Sequence, residues 1–408
     1  MPDEIHIDAL VYDAEDEYRP EPKPEPQAPA WQDGSYRIGI RTTIAGDIAR
    51  SLDIAKKLGC NALQIFSASP RMWPRPGRAQ ISETDAGRFR ARRAELGLGP
   101  VAIHANYLSN LAASEPMARV QAIQAFRDEI LRGMALGADF LIVHPGSAGG
   151  GDKEQAAIRA GEALRQASRG LKLSGLRVLV ENTAGMGSTI GAKFEELAAI
   201  LKVAGDLDAG VCVDTAHLFE AGYPIHAAEG LEHTLSEMER TIGMNRVFIV
   251  HVNDSKTEFG SRVDRHEHIG KGKIGMEALG RILRHPMISP KRLPGRAFLL
   301  ETPIDKPGDD RRNVAAVWKL VGVNAEQVPD AEDGFSMLKR GKTPSRKNGQ
   351  AQRPSTAGGR KNVKKITKAK GIIETKRKAR VKVQKKIGRQ RSQRARRERR
   401  ARTAWKRD

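Results

Sequence analysis

Six short apolar runs in this chain each stop on a residue that can bind a metal ion. Val-Ala-Ile is followed by His104, Phe-Leu-Ile-Val by His144 and Val-Leu-Val by Glu181. Val-Cys-Val is followed by Asp214, Phe-Ile-Val by His251 and Phe-Leu-Leu by Glu301. The chain has 49 Asp or Glu and 10 His among 408 residues, so six such coincidences are not expected by chance. Asp214-Thr-Ala-His217 adds a second ligand type three residues on. Asp264-Arg265-His266 adds two more in the stretch after the run that ends at His251. Nine imidazoles and carboxylates without a thiolate suit zinc, manganese or iron and argue against a cysteine-held structural zinc. Nine are too many for one ion. At three or four ligands per ion with one shared carboxylate, they suit three. Clustered divalent ions suit hydrolysis of phosphate esters, in which they hold the attacking and leaving oxygens of an in-line displacement.

Such residues need a frame that brings them to one place. Runs of three or four β-formers read as buried parallel strands. Strands are expected at Arg37–Ile40, at Ala62–Phe66 and in the six runs above. Helical stretches fill the gaps: one up to about Lys57, then Met117–Leu136, Lys153–Leu173 and Phe194–Val203. Eight strand–helix units ending near Val321 predict an α/β fold of the (β/α)8 TIM-barrel type, whose active sites lie at the C-terminal ends of the strands. An open doubly wound sheet would gather its chemistry at one crevice. Chemistry after six strands favours the closed ring. The expected organisation is an acidic Pro-rich disordered arm over 1–35, the barrel over 36–328 and a Lys/Arg-rich disordered tail over 329–408.

Charge supports this division. The net formal charge is +21, yet residues 341–408 hold 27 Lys or Arg against 3 acidic residues, which leaves the rest of the chain near neutral at −3. Residues 1–33 carry 10 acidic and 2 basic residues, with alternating prolines at 20, 22, 24 and 26. Two cysteines, Cys60 and Cys212, exclude a disulfide framework and suit a reducing compartment. The acidic N-terminus is unlike a secretory signal. No apolar stretch approaches the roughly 20 residues of a membrane helix. A soluble intracellular monomer is therefore expected, in the cytoplasm or nucleoid, or in a nucleus or virion if the host is eukaryotic or viral.

Each nomination has a plainer reading. A lone strand-end His is more often a hydrogen-bonded packing residue than a ligand. Asp214 is placed to cap the following helix, and Asp264 with Arg265 to form a surface ion pair. Convergence at one barrel end favours the metal reading for the set. His6, His226, His233, His268 and His285 lie away from strand ends and are left out.

The segments Glu181-Asn-Thr-Ala-Gly, Gly210-Val-Cys-Val-Asp-Thr-Ala-His217, His251-Val-Asn-Asp-Ser-Lys and Phe259-Gly-Ser-Arg-Val-Asp-Arg-His266 resemble the endonuclease IV family. This is the trinuclear-zinc apurinic/apyrimidinic endonuclease of base-excision repair. His144-Pro-Gly-Ser147 and His104-Ala-Asn-Tyr107-Leu108 fit the same pattern, and the resemblance runs from about Tyr36 to Val321. It implies incision of duplex DNA 5′ to an abasic site, leaving a 3′-hydroxyl and a 5′-deoxyribose phosphate, together with trimming of blocked 3′ ends. It also implies three Zn2+ ions, with Mn2+ or Fe2+ admissible at some sites. By position, His104, His144 and Glu181 would hold the first ion. Glu181 would bridge to the second, held with Asp214, His251 and Glu301, and His217, Asp264 and His266 would hold the third. Glu181 is thereby the catalytic carboxylate. Arg71 resembles the arginine that enters the DNA stack, and Tyr107 and Leu108 its companions at the lesion. Residue types of this kind fill the space of an extruded nucleotide; the plainer reading of Tyr107 and Leu108 is loop packing. Ala216 stands where many members carry Cys, and neither arm nor tail belongs to the pattern.

The competing function is a metal-dependent sugar isomerase or epimerase on the same barrel, which leaves His217, Asp264, His266 and the basic tail unexplained. A catalytically dead DNA-binding scaffold would not need an intact ligand set. The tail has one aromatic residue, Trp405, and reads as a polyelectrolyte that tethers the enzyme to nucleic acid without sequence preference. Nuclear import, RNA binding and genome packaging are the other readings of it.

Overall fold

Period-two alternation within each strand decides the architecture. The computed structural model describes residues 31–68, 81–292 and 294–322. Eight parallel strands form one sheet: β1 (Arg37–Ile40), β2 (Leu63–Phe66), β3 (Val101–His104), β4 (Phe140–Val143), β5 (Arg177–Glu181), β6 (Gly210–Asp214), β7 (Val247–His251) and, after a short ribbon β8 (Asp254–Ser255) and β9 (His266–Glu267), β10 (Ala297–Leu300). The order is β1-β10-β7-β6-β5-β4-β3-β2. Contacts between β1 and β2 close the ring: Arg41 bridges Gln64, the Thr42 N–H donates to the Gln64 carbonyl (3.0 Å) and the Ala62 N–H to the Ile38 carbonyl (3.1 Å). Gly39 permits this approach, because a Cβ there would lie 2.6 Å from the Ala62 carbonyl. The fold is a (β/α)8 TIM barrel.

One residue in two along each strand faces the helices. Ile38, Ile40, Ile65, Ile103, Leu141, Val178, Val180, Val250 and Phe298 join the large core between sheet and helices. Each such side chain contributes about 1.5–3 kcal/mol on burial, and this shell holds the helices on. The other residues point into the barrel. Their lower layer is apolar: Ala62, Ala102, Phe140, Ile142, Leu179, Cys212, Ile249, Ala297 and Leu299. Trp31 belongs to it, packing edge-on to Phe140 and against Gly99, where any Cβ would collide with the indole. The arm as read from sequence included Trp31. One tryptophan after a proline-rich segment carries no periodic signal to mark it as core.

Helices α1 (Arg50–Lys57), α2 (Glu83–Leu96), α3 (Pro116–Leu136), α4 (Lys153–Ser168) and α5 (Phe194–Ala204) follow the first five strands. Two helices, α6 (Thr215–Ala221) and α7 (Ala228–Thr241), follow β6, then come α8 (Met276–Arg284) and α9 (Asp309–Leu320). The expected extension of α4 to Leu173 does not occur. Arg169 leaves helical geometry and Gly170 follows at φ +74°, a conformation that ends helices. No helix among the described residues is long and apolar enough to cross a membrane. The chain divides into two units, Met1–Leu338 and Lys339–Asp408. The second unit, most of the acidic arm and Arg71 all lie outside the described residues.

Candidate metal centre

The inward positions that are apolar at the barrel floor become polar at its mouth. Continuing the alternation upward, Ala62 leads to Gln64, Ala102 to His104, Ile142 to His144 and Leu179 to Glu181. Cys212 leads to Asp214, Ile249 to His251 and Leu299 to Glu301. The strand ends at Val143 and Leu300 leave His144 and Glu301 one residue beyond β4 and β10.

Glu181 sits fully buried at the centre with its two oxygens turned to different partners. Oε2 lies 3.0 Å from His104 Nε2 and 3.6 Å from His144 Nε2. Oε1 lies 2.9 Å from His251 Nδ1 and 3.5 Å from His217 Nδ1. The potential ligand atoms gather into His104–His144–Glu181, Glu181–Asp214–His251–Glu301 and Asp214–His217–His266. Asp264 Oδ2 is 3.4 Å from His217 Nε2, and Asp264 Oδ1 is 3.6 Å from His266 Nε2, so it borders the third group. The structure thus brings together all nine strand-end and loop residues expected from the sequence.

Hydrogen bonds on the outer side of the imidazoles assign their tautomers. His104 Nδ1–H donates to the Ala105 carbonyl (2.9 Å), His217 Nδ1–H to the Asn182 carbonyl (2.9 Å) and His251 Nε2–H to Gln64 Oε1 (2.8 Å). In the neutral ring the other nitrogen then carries a lone pair. For His104 and His251 that lone pair faces a carboxylate oxygen at 2.9–3.0 Å. Two acceptors at that separation need a cation between them. His217 Nε2 and His266 Nε2 are buried without a hydrogen-bond partner. The donor set fits divalent ions, with His104, His217 and His251 each oriented by a second hydrogen bond.

Electrostatics point the same way. Burial would raise the Glu181 pKa, yet His144 and His251 hold it well below the usual carboxylate range. Burial opposes protonation of His217 and His251 too. The carboxylates of Asp214 and Asp264 beside His217, and those of Glu181 and Glu301 beside His251, nevertheless raise both rings well above the ordinary imidazole value. Without metal, protons take the place of cations.

Asp214 has two roles. Its Oδ1 accepts from the N–H groups of Ala216 (2.7 Å) and His217 (3.1 Å), which caps α6. Its Oδ2 faces the cluster and accepts from Asn253 Nδ2 (2.7 Å). Helix capping and ligand position are one arrangement. Glu301 likewise receives Gln64 Nε2 (2.6 Å) and Arg41 Nη1 (3.1 Å) on Oε1. Cys212 lies within reach of Glu181 and His251, but burial pushes its thiol up to about 12, so it stays protonated.

The third group depends on structure that the sequence reading did not foresee. Asp254 and Ser255 pair antiparallel with Glu267 and His266, and this two-residue ribbon aims His266 back at the barrel. Asp254 grips the far side of the same loop by accepting from the N–H groups of Ser255, Gly272 and Ile274 (2.9–3.0 Å). Glu220 holds its middle, accepting from Ser255 Oγ (2.8 Å) and from the Arg265 N–H (3.3 Å). Burial pushes Glu220 up to about 7. His268 does not join the cluster. Its ring takes Asn313 Nδ2 (3.1 Å) and faces Asp305 (3.4 Å).

Tyr107 and Leu108 stand at the mouth with 48% and 37% of their surface exposed. Tyr107 leans on Phe66 and His104, with centroids 5.5 Å from each, and its hydroxyl accepts from Arg41 Nη1 (3.3 Å), while just under half of its surface meets solvent. Gln64, Asn182, Asn253 and Arg41 are parts of the site that the sequence reading missed. Gln64 had a usable signal, as a polar residue at an inward position of an otherwise apolar strand.

A sequence profile of xylose isomerase-like TIM barrels matches residues 52–321. A protein of Solibacter usitatus named "Probable endonuclease 4" is 45% identical over 290 residues, covering 70% of this chain and 97% of that one. The chain belongs to the endonuclease IV family. The crystal structure of endonuclease IV from Thermus thermophilus superposes with a TM-score of 0.60 at 38% identity, covering 70% of this chain and 98% of that one. A D-tagatose 3-epimerase-like protein (TM-score 0.50, 16% identity, 69% and 96% coverage) shares the fold alone.

Proposed function

We propose that this chain hydrolyses the phosphodiester bond 5′ to abasic sites in duplex DNA, leaving a 3′-hydroxyl and a 5′-deoxyribose phosphate, and trims blocked 3′ ends. The observation that carries this reading is Glu181, whose two oxygens serve two adjoining ligand groups while a third group shares Asp214. His104, His144 and Glu181 would hold one zinc, and Glu181, Asp214, His251 and Glu301 the second. His217, His266 and Asp264 would complete the third. Bound there, the ions would supply Lewis acidity toward the phosphodiester and lower the pKa of a water. The protein groups fix the spacing: Gln64, Asn182 and Asn253 hold the ligands by outer hydrogen bonds. Tyr107 and Leu108, exposed beside the centre, are suited to fill the gap left by an extruded abasic nucleotide. Arg71 is proposed as their companion.

A sugar isomerase would use one or two ions and has no need of a third group. The deciding experiment is incision of a duplex oligonucleotide with a single abasic analogue, beside an undamaged duplex, by metal-replete protein. Cleavage at the analogue alone is expected, and none would overturn the reading. Metal analysis should give close to three ions per chain, and one ion would contradict the trinuclear assignment.

The 27 basic residues of 341–408 are proposed to tether a monomeric, intracellular enzyme to DNA through phosphates. Truncation after Val328 should weaken binding to undamaged duplex and flatten its dependence on salt. An unchanged salt slope would refute the tether.

A further inference from the structure

Arg41 has no place in the ligand set, yet it stands at the centre's edge. It follows the last residue of β1, with its N–H donating to the Leu300 carbonyl (2.9 Å), and so shares the strand-end level of Glu301. Its Nη1 donates to Glu301 Oε1 (3.1 Å) and to Tyr107 Oη (3.3 Å). The guanidinium lies over the Phe66 ring, 5.6 Å from its centroid. About a third of the side chain remains exposed, 32%.

Neutralising Glu301 does not by itself require an arginine. Oε1 already takes a 2.6 Å hydrogen bond from the neutral Gln64 amide. A guanidinium has five N–H donors in a rigid fork. Nη1 uses both of its own, and among the described residues Nε and Nη2 have no partner. Three donors are therefore left over on a side chain that stays partly exposed beside Glu301, Tyr107 and Phe66. The planar fork matches two oxygens of a phosphate, which a flexible ammonium matches less well.

We propose that Arg41 is a phosphate-binding residue of the centre, donating from its Nε and Nη2 edge to a non-bridging oxygen of the phosphodiester to be cleaved. Glu301 and Tyr107 hold the guanidinium in place, so little reorganisation accompanies the growth of charge on that oxygen. This assignment rests on the phosphodiesterase reading above and adds to it a contact made by the protein itself.

The test uses the full metal-loaded chain with Arg41→Ala and Arg41→Lys. In single-turnover incision of an abasic duplex, Arg41→Ala is expected to be slower by about 10²–10³-fold, the range for loss of one preorganised donor, and Arg41→Lys is expected to recover part of this. Metal content should be unchanged, and affinity for undamaged duplex should move by less than about threefold, because most of that affinity comes from other phosphates. Replacing one non-bridging oxygen of the scissile phosphate by sulfur should slow the parent more than Arg41→Ala, since sulfur and the substitution remove the same contact. Equal sulfur effects would overturn the assignment, as would a rate within threefold of the parent. So would a rate loss that follows metal loss and returns on adding metal, because that outcome makes Arg41 a support for Glu301. Titration with inorganic phosphate separates this proposal from the broader one. Even if the parent chain incised nothing, Arg41→Ala should bind phosphate at least about tenfold more weakly, and equal affinity would refute the role.

Discussion

Gln64 joins two members of one ligand group, which makes Gln64→Leu a sharp perturbation. Its Oε1 accepts from His251 Nε2–H at 2.8 Å, and its Nε2 donates to Glu301 Oε1 at 2.6 Å. Leucine fills much of the same space and removes both bonds. Glu301 Oε1 keeps Arg41 at 3.1 Å, so the group left unsatisfied is the buried His251 N–H. Stranding such a group costs about 1–3 kcal/mol. Losing the partner that orients a metal-binding imidazole lowers metal affinity by about 10–100-fold, which at about 1.4 kcal/mol per decade is the same energy. The structure also says where the loss falls. Gln64 touches only the group of Glu181, Asp214, His251 and Glu301, while Asp214, His217 and His266 are held from Asn182, Asn253 and the β8–β9 ribbon. Occupancy measured by mass spectrometry across a series of zinc buffers should therefore show one ion released at about 10–100-fold higher free zinc than in the parent, with the ion of the third group unmoved. An equal shift of all the ions, or no shift, would refute the reasoning.

Glu181→Gln replaces a carboxylate that four imidazole nitrogens approach within 3.6 Å. Incision should be abolished while binding to undamaged duplex stays within a few fold, as an electrophoretic shift beside the cleavage assay would show. Trp31→Ala empties part of the barrel floor and should lower unfolding free energy by about 3–5 kcal/mol, with incision at low temperature unchanged; denaturant melts check this. The pH dependence has opposite signs with and without metal. In metal-free protein His217 and His251 have raised pKa values. Their contribution to stability is therefore present below the unfolded value of about 6.5 and lost as pH rises through the folded values. Zinc must displace those protons, so its affinity rises over the same window. The melting-temperature gain on adding zinc should grow as pH rises above about 6.5, and a constant gain would contradict the assignment of those rings.

The parts of this molecule legible in the sequence were those whose signal is periodic. Val-Leu-Val-Glu181 and Phe-Ile-Val-His251 announce both a strand and the residue at its mouth, because alternation along a buried strand carries the inward face from Leu179 to Glu181 and from Ile249 to His251. The loop residues Asp264 and His266 were legible as types and not as positions. Their placement depends on a ribbon two residues long and on Asp254 and Glu220, which bind backbone N–H groups distant in sequence. Trp31 was hidden for a related reason, since a single side chain reaching the barrel floor leaves no repeat. Polar residues that orient ligands, such as Asn182 and Asn253, look like ordinary loop residues until their partners are known.

Asp214 shows why the plain reading and the chemical reading of a residue need not compete. A carboxylate at a helix N-cap is held by two backbone N–H groups, here from Ala216 and His217. That fixes one oxygen and, through the rigid carboxylate plane, the direction of the other. Oδ2 is left 3.8 Å from His251 Nδ1 and 3.5 Å from His266 Nε2, between the second and third groups. The capping bond to the His217 N–H also sets the first turn of α6, which carries His217 itself to the centre. A substitution that kept the cap but not the charge, Asp214→Asn, should therefore leave α6 in place and disturb both groups at once. Loss of two ions with circular dichroism unchanged is the expected result. Loss of helix content together with metal would instead mean that the cap, and not the charge, is what the centre requires.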